Sequence, residues 1–117
     1  VDSHQETYAV EKQAKKLAQQ LSCIIGVTGA IDFITDGERM AYVREGHSMM
    51  TRVTAMGCTA TGIVGAFLAV NSDPLEASFH AMKAMGIAGE RAASQSRGTG
   101  SMMINFLDEL SNLMAYD

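Results

Sequence analysis

The sequence has no tryptophan, a single proline and only two cysteines. Two cysteines do not make the disulfide framework of a small secreted domain, so we expect a reducing, cytoplasmic compartment. No apolar run approaches the roughly 18 residues of a transmembrane helix, and we expect no signal peptide. Basic residues are not in excess, because the net charge is −4. We therefore expect neither a nucleic-acid partner nor an anionic membrane surface.

What the chain does contain is typical of a globular domain. Hydrophobic residues make up 47% and charged residues 19% of the 117 residues, which suits one domain over residues 1–117. The 11 glycines stand singly between apolar segments, unlike those of a linker. Because the chain starts at Val1, directly before a helix signal, we expect a piece of a longer or processed protein.

The first half predicts a helix, a strand and a hairpin. Ser3 and Glu6 form a capping box for a helix that continues to Leu21. Residues 23–27 are nearly all apolar, which favours a strand that is covered on both faces in a parallel sheet. Asp36-Gly37 predicts the turn of a hairpin that follows this strand.

The second half predicts a loop and then three helices. Residues 59–70 are apolar on most sides, which is typical of a buried helix. Asp73 and Pro74 begin a helix that runs to about Ser94. Ser101 begins a last helix with an apolar face of Met103, Phe106, Leu107, Leu110, Leu113 and Met114. The alternation indicates an α/β fold, but about three strands cannot cover four helices, so we expect an incomplete one.

The loop that leads into the apolar helix after Gly57 is a candidate anion site. The first amides of a helix have no partner within it, and the helix dipole adds positive potential there. A plain structural helix start is the alternative. Cys58 lies at this start, where a thiol has a lowered pKa and accepts protons more readily. Its alternative is a buried packing residue, and for Cys23, at the start of a core strand, burial is the only interpretation.

Other chemical signatures are missing. The three histidines are dispersed, and no His, Cys, Asp or Glu spacing predicts a zinc site. We interpret His47 as a solvated loop residue. The sequence also contains neither G-x-S-x-G nor G-x-x-x-x-G-K-[ST], which makes a serine hydrolase elbow or a P-loop unsupported.

Several segments, in order and with matching spacing, resemble the hydroxyethylthiazole kinase family. They are Val27-Thr28-Gly29, residues 31–39, Gly46-His47, residues 50–54, Gly57-Cys58, residues 66–69, Ala88-Gly89-Glu90 and residues 98–101. The resemblance covers nearly the whole chain and places it as about the C-terminal half of the family's length. It implies a ribokinase-like three-layer α/β fold, of which this chain supplies a strand and a β-hairpin followed by three helices.

The resemblance also implies an activity. The family phosphorylates the hydroxyl of 4-methyl-5-(2-hydroxyethyl)thiazole with ATP and Mg²⁺, in thiamine biosynthesis and salvage, and forms trimers with sites at subunit interfaces. Two alternatives stay open: a kinase of the same fold for another small alcohol, or a non-catalytic half-domain that assembles with a partner. We expect the chain alone to be inactive and to associate through uncovered surfaces.

Individual roles follow from the resemblance. Thr28 matches a threonine that contacts ATP, and Ala55, Met56, Gly57 and Cys58 match the family's Gly-Thr-Gly-Cys. In that motif the first glycine touches substrate, and the other three residues bind phosphate. The cysteine also stands where related sugar kinases have an aspartate base, which implies a catalytic role for Cys58. Ala55 departs from glycine, so a backbone contact there requires a negative φ. We expect the Mg²⁺ ligands and most of the thiazole pocket outside this chain.

Overall fold

A computed structural model describes residues 3–113, with side chains from residue 8 onward. The side chains of the predicted Ser3–Glu6 capping box therefore lie outside the described residues. The elements confirm the predicted order: α1 (Ser3–Leu21), β1 (Ile25–Val27), β2 (Asp32–Thr35), β3 (Met40–Val43), a short 3-10 helix (Ser48–Arg52), α2 (Met56–Val70), α3 (Pro74–Gln95) and α4 (Thr99–Leu113).

The three strands form one sheet in the order β1-β2-β3, and both pairings are antiparallel. Ile25 pairs with Thr35 and Val27 with Phe33. The prediction that β1 joins an otherwise parallel sheet is wrong for these strands, because the short connection of residues 28–31 permits only an antiparallel neighbour. β1 is not covered on both faces either, since Gly26 is exposed. Cys23 precedes the strand and is exposed, so its predicted burial is also wrong.

The predicted hairpin is confirmed between β2 and β3. Thr35 pairs with Met40, which leaves a loop of residues 36–39, and Gly37 takes a φ of 100° there. The Asp36 carboxylate accepts hydrogen bonds from the amides of Glu38 at 2.9 Å and Arg39 at 2.6 Å. The loop is thereby fixed by its own side chains.

Helices lie on both faces of this sheet. Alternation along the strands places Ile34 and Val43 on one face and Phe33 on the other. Ile34 and Val43 form a buried cluster with Leu75 of α3. On the opposite side, Gln19 of α1 donates a hydrogen bond to the Gly37 carbonyl at 2.7 Å. The result is a three-layer arrangement of helix, sheet and helix.

α3 begins as predicted. The Asp73 carboxylate accepts hydrogen bonds from the amides of Leu75 at 3.0 Å and Glu76 at 3.4 Å, and Pro74 occupies the first turn. The helix then supplies much of the core, with nine buried residues: Leu75, Ala77, Ser78, Ala81, Met85, Gly86, Ala88, Gly89 and Ala92.

α4 packs against α3 with a partly different face from the predicted one. Met102 and Phe106 are buried, whereas Met103 and Leu107 are exposed. The helix also begins before Ser101, because the Met102 amide already bonds to the Gly98 carbonyl at 3.0 Å. Phe106, Leu110 and Leu113 of the predicted face do contact the core cluster, together with Met102 in place of Met103 and Leu107. Met114 lies outside the described residues.

The prediction that α2 is a buried helix is wrong for this chain. None of its residues is buried, and Val70 is 86% exposed. Met56, Ala60 and Ile63 pack against the core cluster that α3 and α4 form. Within residues 3–113 only this side of α2 is covered, so its remaining apolar surface faces solvent.

Candidate functional site

The loop before α2 ends in a tight turn. Val53 is buried and joins the core cluster, while Thr54 and Ala55 are exposed. Ala55 has φ 69° and ψ 12°, the left-handed conformation, and α2 begins at Met56. A left-handed alanine costs roughly 1–2 kcal/mol relative to the right-handed form. The negative φ on which the predicted backbone contact at residue 55 depended is therefore not observed; the turn keeps a glycine-like shape and carries strain instead.

The N-terminal amides of α2 face an open surface. Ala55 makes no side-chain capping bond, and the first amide bonded along the helix is that of Thr59, to the Ala55 carbonyl at 3.0 Å. Gly57 and Cys58 are exposed, and a Cβ on Gly57 would meet nothing within 4 Å. Unbonded amides at an accessible helix start form a surface that suits an anion. That an anion binds here stays a prediction.

Cys58 presents an exposed thiol in the first turn of α2. The alternative interpretation, a buried packing residue, is wrong. Cys23 is also exposed and unpaired, but it lies outside any helix start, between α1 and β1. The two thiols therefore differ in surroundings, since only Cys58 lies at the positive end of a helix dipole.

Thr28 lies on a separate turn, directly after β1, and is exposed. The Asp32 carboxylate accepts a hydrogen bond from the Gly29 amide at 2.8 Å and so fixes this turn. Burial raises the pKa of Asp32, and the Gly29 hydrogen bond opposes that shift. In the described part of the chain no hydrogen bond joins Thr28 to residues 55–58, so the structure brings together Ala55, Met56, Gly57 and Cys58 but leaves Thr28 as a second element.

The loop that carries the turn rests on two glycines of α3. A Cβ on Gly86 would collide with the Glu45 carbonyl oxygen, and one on Gly89 would collide with the Met50 sulfur. The Glu90 carboxylate accepts a hydrogen bond from the Gly46 amide at 2.9 Å. Together these contacts set the height of the loop over α3. These contacts were not predicted from the sequence, although a small-x-x-small pair on a helix is a recognisable signal for close backbone approach.

The described residues suggest no metal site. Among the side chains of residues 8–113, no group of three or more His, Cys, Asp or Glu is placed to hold a metal ion. His47 accepts a hydrogen bond from the Met49 amide at 3.0 Å and so caps the 3-10 helix. None of the described helices is long and apolar enough to span a membrane.

The chain is similar to known proteins of one family. The model of the hydroxyethylthiazole kinase family matches residues 1–116. The chain is 47% identical over 110 residues to a hydroxyethylthiazole kinase of Granulibacter bethesdensis, which covers 94% of this chain. It is 44% identical over 117 residues to one of Pectobacterium carotovorum, which covers 100%.

A solved structure agrees with the sequence relatives. The structure of a hydroxyethylthiazole kinase protein from Pyrococcus horikoshii OT3 superposes with a TM-score of 0.83 at 33% identity and covers 92% of this chain. The chain spans only 42% of that structure, and 40% and 44% of the two sequence relatives. More than half of each relative therefore has no counterpart in this chain.

Proposed function

The chain belongs to the hydroxyethylthiazole kinase family, and from that premise we propose that it forms part of an enzyme that phosphorylates 4-methyl-5-(2-hydroxyethyl)thiazole with ATP. The observation that carries this proposal is the open first turn of α2, whose amides have no side-chain cap. A kinase needs such a surface because its transition state spreads negative charge over the transferred phosphoryl group.

In the proposed reaction, the backbone amides of Met56, Gly57 and Cys58 hold the γ-phosphoryl oxygens. The substrate hydroxyl oxygen forms a bond to the γ-phosphorus, the bond from that phosphorus to the β,γ-bridging oxygen breaks, and ADP leaves with the electron pair. Fixed amide donors lower the barrier because they are already oriented toward the developing charge. The exposed position of Gly57 supports this assignment, since nothing blocks approach there.

Cys58 is the proposed acceptor of the hydroxyl proton. As a thiolate it takes the proton while the oxygen attacks phosphorus, and proton transfer of this kind typically contributes ~10²–10⁴-fold to the rate. The thiol is accessible, which a proton acceptor for a bound alcohol must be.

The remaining roles are positional. Thr28 contacts ATP from the turn that Asp32 fixes. A substrate contact at Ala55 rests on the family resemblance alone, because its positive φ does not meet the predicted condition for a retained backbone contact. Mg²⁺ belongs to the proposal through the family alone. Because the described side chains, those of residues 8–113, present no metal-holding group, we derive no step through the ion.

The same proposal covers the whole enzyme, which acts in the cytoplasm in thiamine biosynthesis. The enzyme is a homotrimer, and its partners are small molecules rather than nucleic acid or membrane. The trimer is the part most easily measured. Light scattering on an assembled enzyme should return three times the mass of one subunit, and a monomer with full activity would contradict the proposed interfacial sites.

The test of the activity is a chimera with the Granulibacter relative. The 110 residues of this chain that match it replace the corresponding 40% of that enzyme. We expect the chimera to convert ATP and the thiazole alcohol to ADP and the phosphorylated alcohol, while the isolated chain remains inactive. A folded chimera that phosphorylates only other small alcohols would support the same fold with another substrate. One that phosphorylates none, although the parent enzyme does, would contradict the proposal.

A further inference from the structure

The start of α2 differs from two other helix starts in the chain. His47 and Asp73 precede their helices in extended conformations, with φ of −142° and −91°, and the side chain of each accepts a hydrogen bond from the first turn. Ala55 has a φ of 69° and no side-chain capping bond. A methyl group cannot accept a hydrogen bond, so other contacts must hold residue 55 in its left-handed conformation.

The hydrogen bonds of the turn do not select this conformation. The Ala55 carbonyl accepts hydrogen bonds from the amide and from the hydroxyl of Thr59, both at 3.0 Å. The carbonyl of a residue that precedes a helix accepts the first bond of that helix in its usual extended conformation as well. Thr59 therefore fixes the carbonyl of residue 55 without deciding the sign of its φ.

The side chains on either side of the turn do restrict it. Val53 is 8% exposed and belongs to the core cluster that α3 and α4 form. Met56, the first residue of α2, packs against the same cluster. Thr54 and Ala55, which lie between them, are exposed. The chain leaves the core at Val53 and returns to it at Met56, so the left-handed residue spans a short link between two anchored side chains.

The conformation of residue 55 also directs a backbone donor. The Met56 N–H lies in the peptide plane between residues 55 and 56, so its direction follows from ψ of Ala55, which is 12°. An alanine prefers the right-handed conformation by about tenfold or more. Without an anchor at residue 56, the turn would relax toward that conformation and rotate this N–H away from its present direction.

We propose that Met56 is a positioning residue, whose side chain in the core cluster holds Ala55 left-handed and thereby aims the first amide of α2. The use of that amide in phosphoryl transfer rests on the proposed function, whereas the anchoring of Ala55 does not. A methionine suits this place because its flexible thioether chain fills an irregular gap in a core. The residue thus contributes its side chain to the core and its backbone donor to the open turn.

Met56→Ala tests the anchor, and Leu110→Ala is its matched control. Leu110 is partly buried against the same cluster but lies on α4. In each labelled variant chain, the coupling between the amide and α protons of residue 55 measures φ, and titration with inorganic phosphate measures affinity. We expect Met56→Ala to lose the positive φ and to bind phosphate about tenfold more weakly. Leu110→Ala should retain both properties of the parent chain.

Two rescues separate positioning from packing. Adding Ala55→Gly to Met56→Ala should restore most of the phosphate affinity, because glycine adopts a positive φ without strain, although the core contact is still missing. Met56→Leu should also bind phosphate better than Met56→Ala, since it retains the apolar volume. If Met56→Ala does not fold, Met56→Val shortens the side chain less and takes its place in each comparison.

Kinetics of the Granulibacter chimera supply a further readout. Met56→Ala should lower kcat by about tenfold and raise the KM for the thiazole alcohol much less, because the turn holds the transferred phosphoryl group. Adding Ala55→Gly should recover kcat, whereas Leu110→Ala should leave it unchanged.

Three results would overturn the inference. They are a positive φ at residue 55 that persists in Met56→Ala, equal effects of Met56→Ala and Leu110→Ala on residue 55, and a double variant that binds phosphate as weakly as Met56→Ala. A parent chain and chimera that bind no phosphate would contradict the proposed function instead. The φ of residue 55 in the variants would then still decide whether Met56 holds the turn.

Discussion

α2 and α3 lie side by side, yet they use their surfaces in opposite ways. α3 has nine buried residues and a carboxylate cap at its start, whereas α2 has no buried residue and no cap. α2 is nevertheless the more apolar of the two along its sequence. The difference teaches that α3 stabilises this chain's own core, while α2 is held by one side and exposes the others. Binding of a ligand would stabilise the uncapped start of α2, and further protein would stabilise its uncovered apolar face.

The largest expected difference between the two helices is in core stability. Met85 of α3 is 5% exposed and Leu68 of α2 is 44% exposed. Met85→Ala should lower the free energy of unfolding of the isolated chain by about 2–5 kcal/mol, because it leaves a cavity. Leu68→Ala should cost less than ~1 kcal/mol, since an exposed side chain loses little burial. Urea denaturation measures both; equal losses would mean that α2 is as much part of the core as α3.

The next effect concerns catalysis at the start of α2. In the chimera, Cys58→Ala should lower kcat by ~10²-fold or more, with little change in KM, because the interaction belongs mainly to the transition state. Cys23→Ala is the matched control, as an exposed thiol away from any helix start, and should leave kcat unchanged. Cys58→Asp should retain substantial activity, since a carboxylate also accepts a proton. An unaffected kcat in Cys58→Ala would reduce Cys58 to a bystander.

The capped start of α3 predicts a dependence on acid. Hydrogen bonds from the Arg39 amide and side chain lower the pKa of Asp36 from 3.8 to about 2. The pKa of Asp73 is also lowered from 3.8 to about 2, mainly by its hydrogen bond with the Arg39 side chain. Since both folded pKa values lie below the ordinary one, their stabilisation is full above pH 3.8 and is lost as the pH falls toward about 2. The pKa of Asp32 is raised, so its contribution to stability falls as the pH rises, opposite to the contributions of Asp36 and Asp73.

Arg39→Met should flatten this acid-dependent loss, because it removes the guanidinium that bonds to both carboxylates. Urea midpoints at pH 6, 4 and 3 for the parent and the variant measure it. The parent curve should fall more steeply below pH 4 than the curve of Arg39→Met. Parallel curves would mean that these carboxylates contribute nothing to the fold through Arg39.

The smallest expected effect on stability compares the strained turn before α2 with a position inside the helix. Ala55 has a positive φ, so Ala55→Gly should raise stability by up to ~1 kcal/mol as the left-handed strain is relieved. Ala66, exposed within the helix, is the control: Ala66→Gly should lower stability by about 0.5–1 kcal/mol. A loss in both variants would contradict the left-handed conformation at Ala55.

Much of this organisation was predictable because local chemistry decides it. Asp73-Pro74 fixed the start of α3, and Asp36-Gly37 the hairpin, through bonds that span a few residues. The open turn at Ala55–Cys58 was located by the small residues that precede an apolar helix. The family membership of the chain followed from ordered segments along nearly its whole length and is confirmed by the family model.

The failures have a common origin in partners distant along the chain. Apolar composition predicted a buried α2, but composition does not say whether the covering surface belongs to the same polypeptide. Residues 23–27 suggested a parallel strand, yet the only neighbour of β1 in the described residues is antiparallel. The contacts of Gly86 with Glu45 and of Gly89 with Met50 join segments about forty residues apart, and no local pattern places them against each other.

The central claim, that α2 exposes its first amides in order to hold a phosphoryl group, is tested most directly by nuclear magnetic resonance. Amide spectra of the ¹⁵N-labelled chain are recorded during titration with inorganic phosphate and with ATP, and repeated for the chimera. We predict that the amides of Met56, Gly57 and Cys58 shift with both ligands, while those of Leu75 and Glu76, already bonded to Asp73, stay in place. Shifts that leave residues 56–58 unmoved, or that affect both helix starts alike, would contradict the claim.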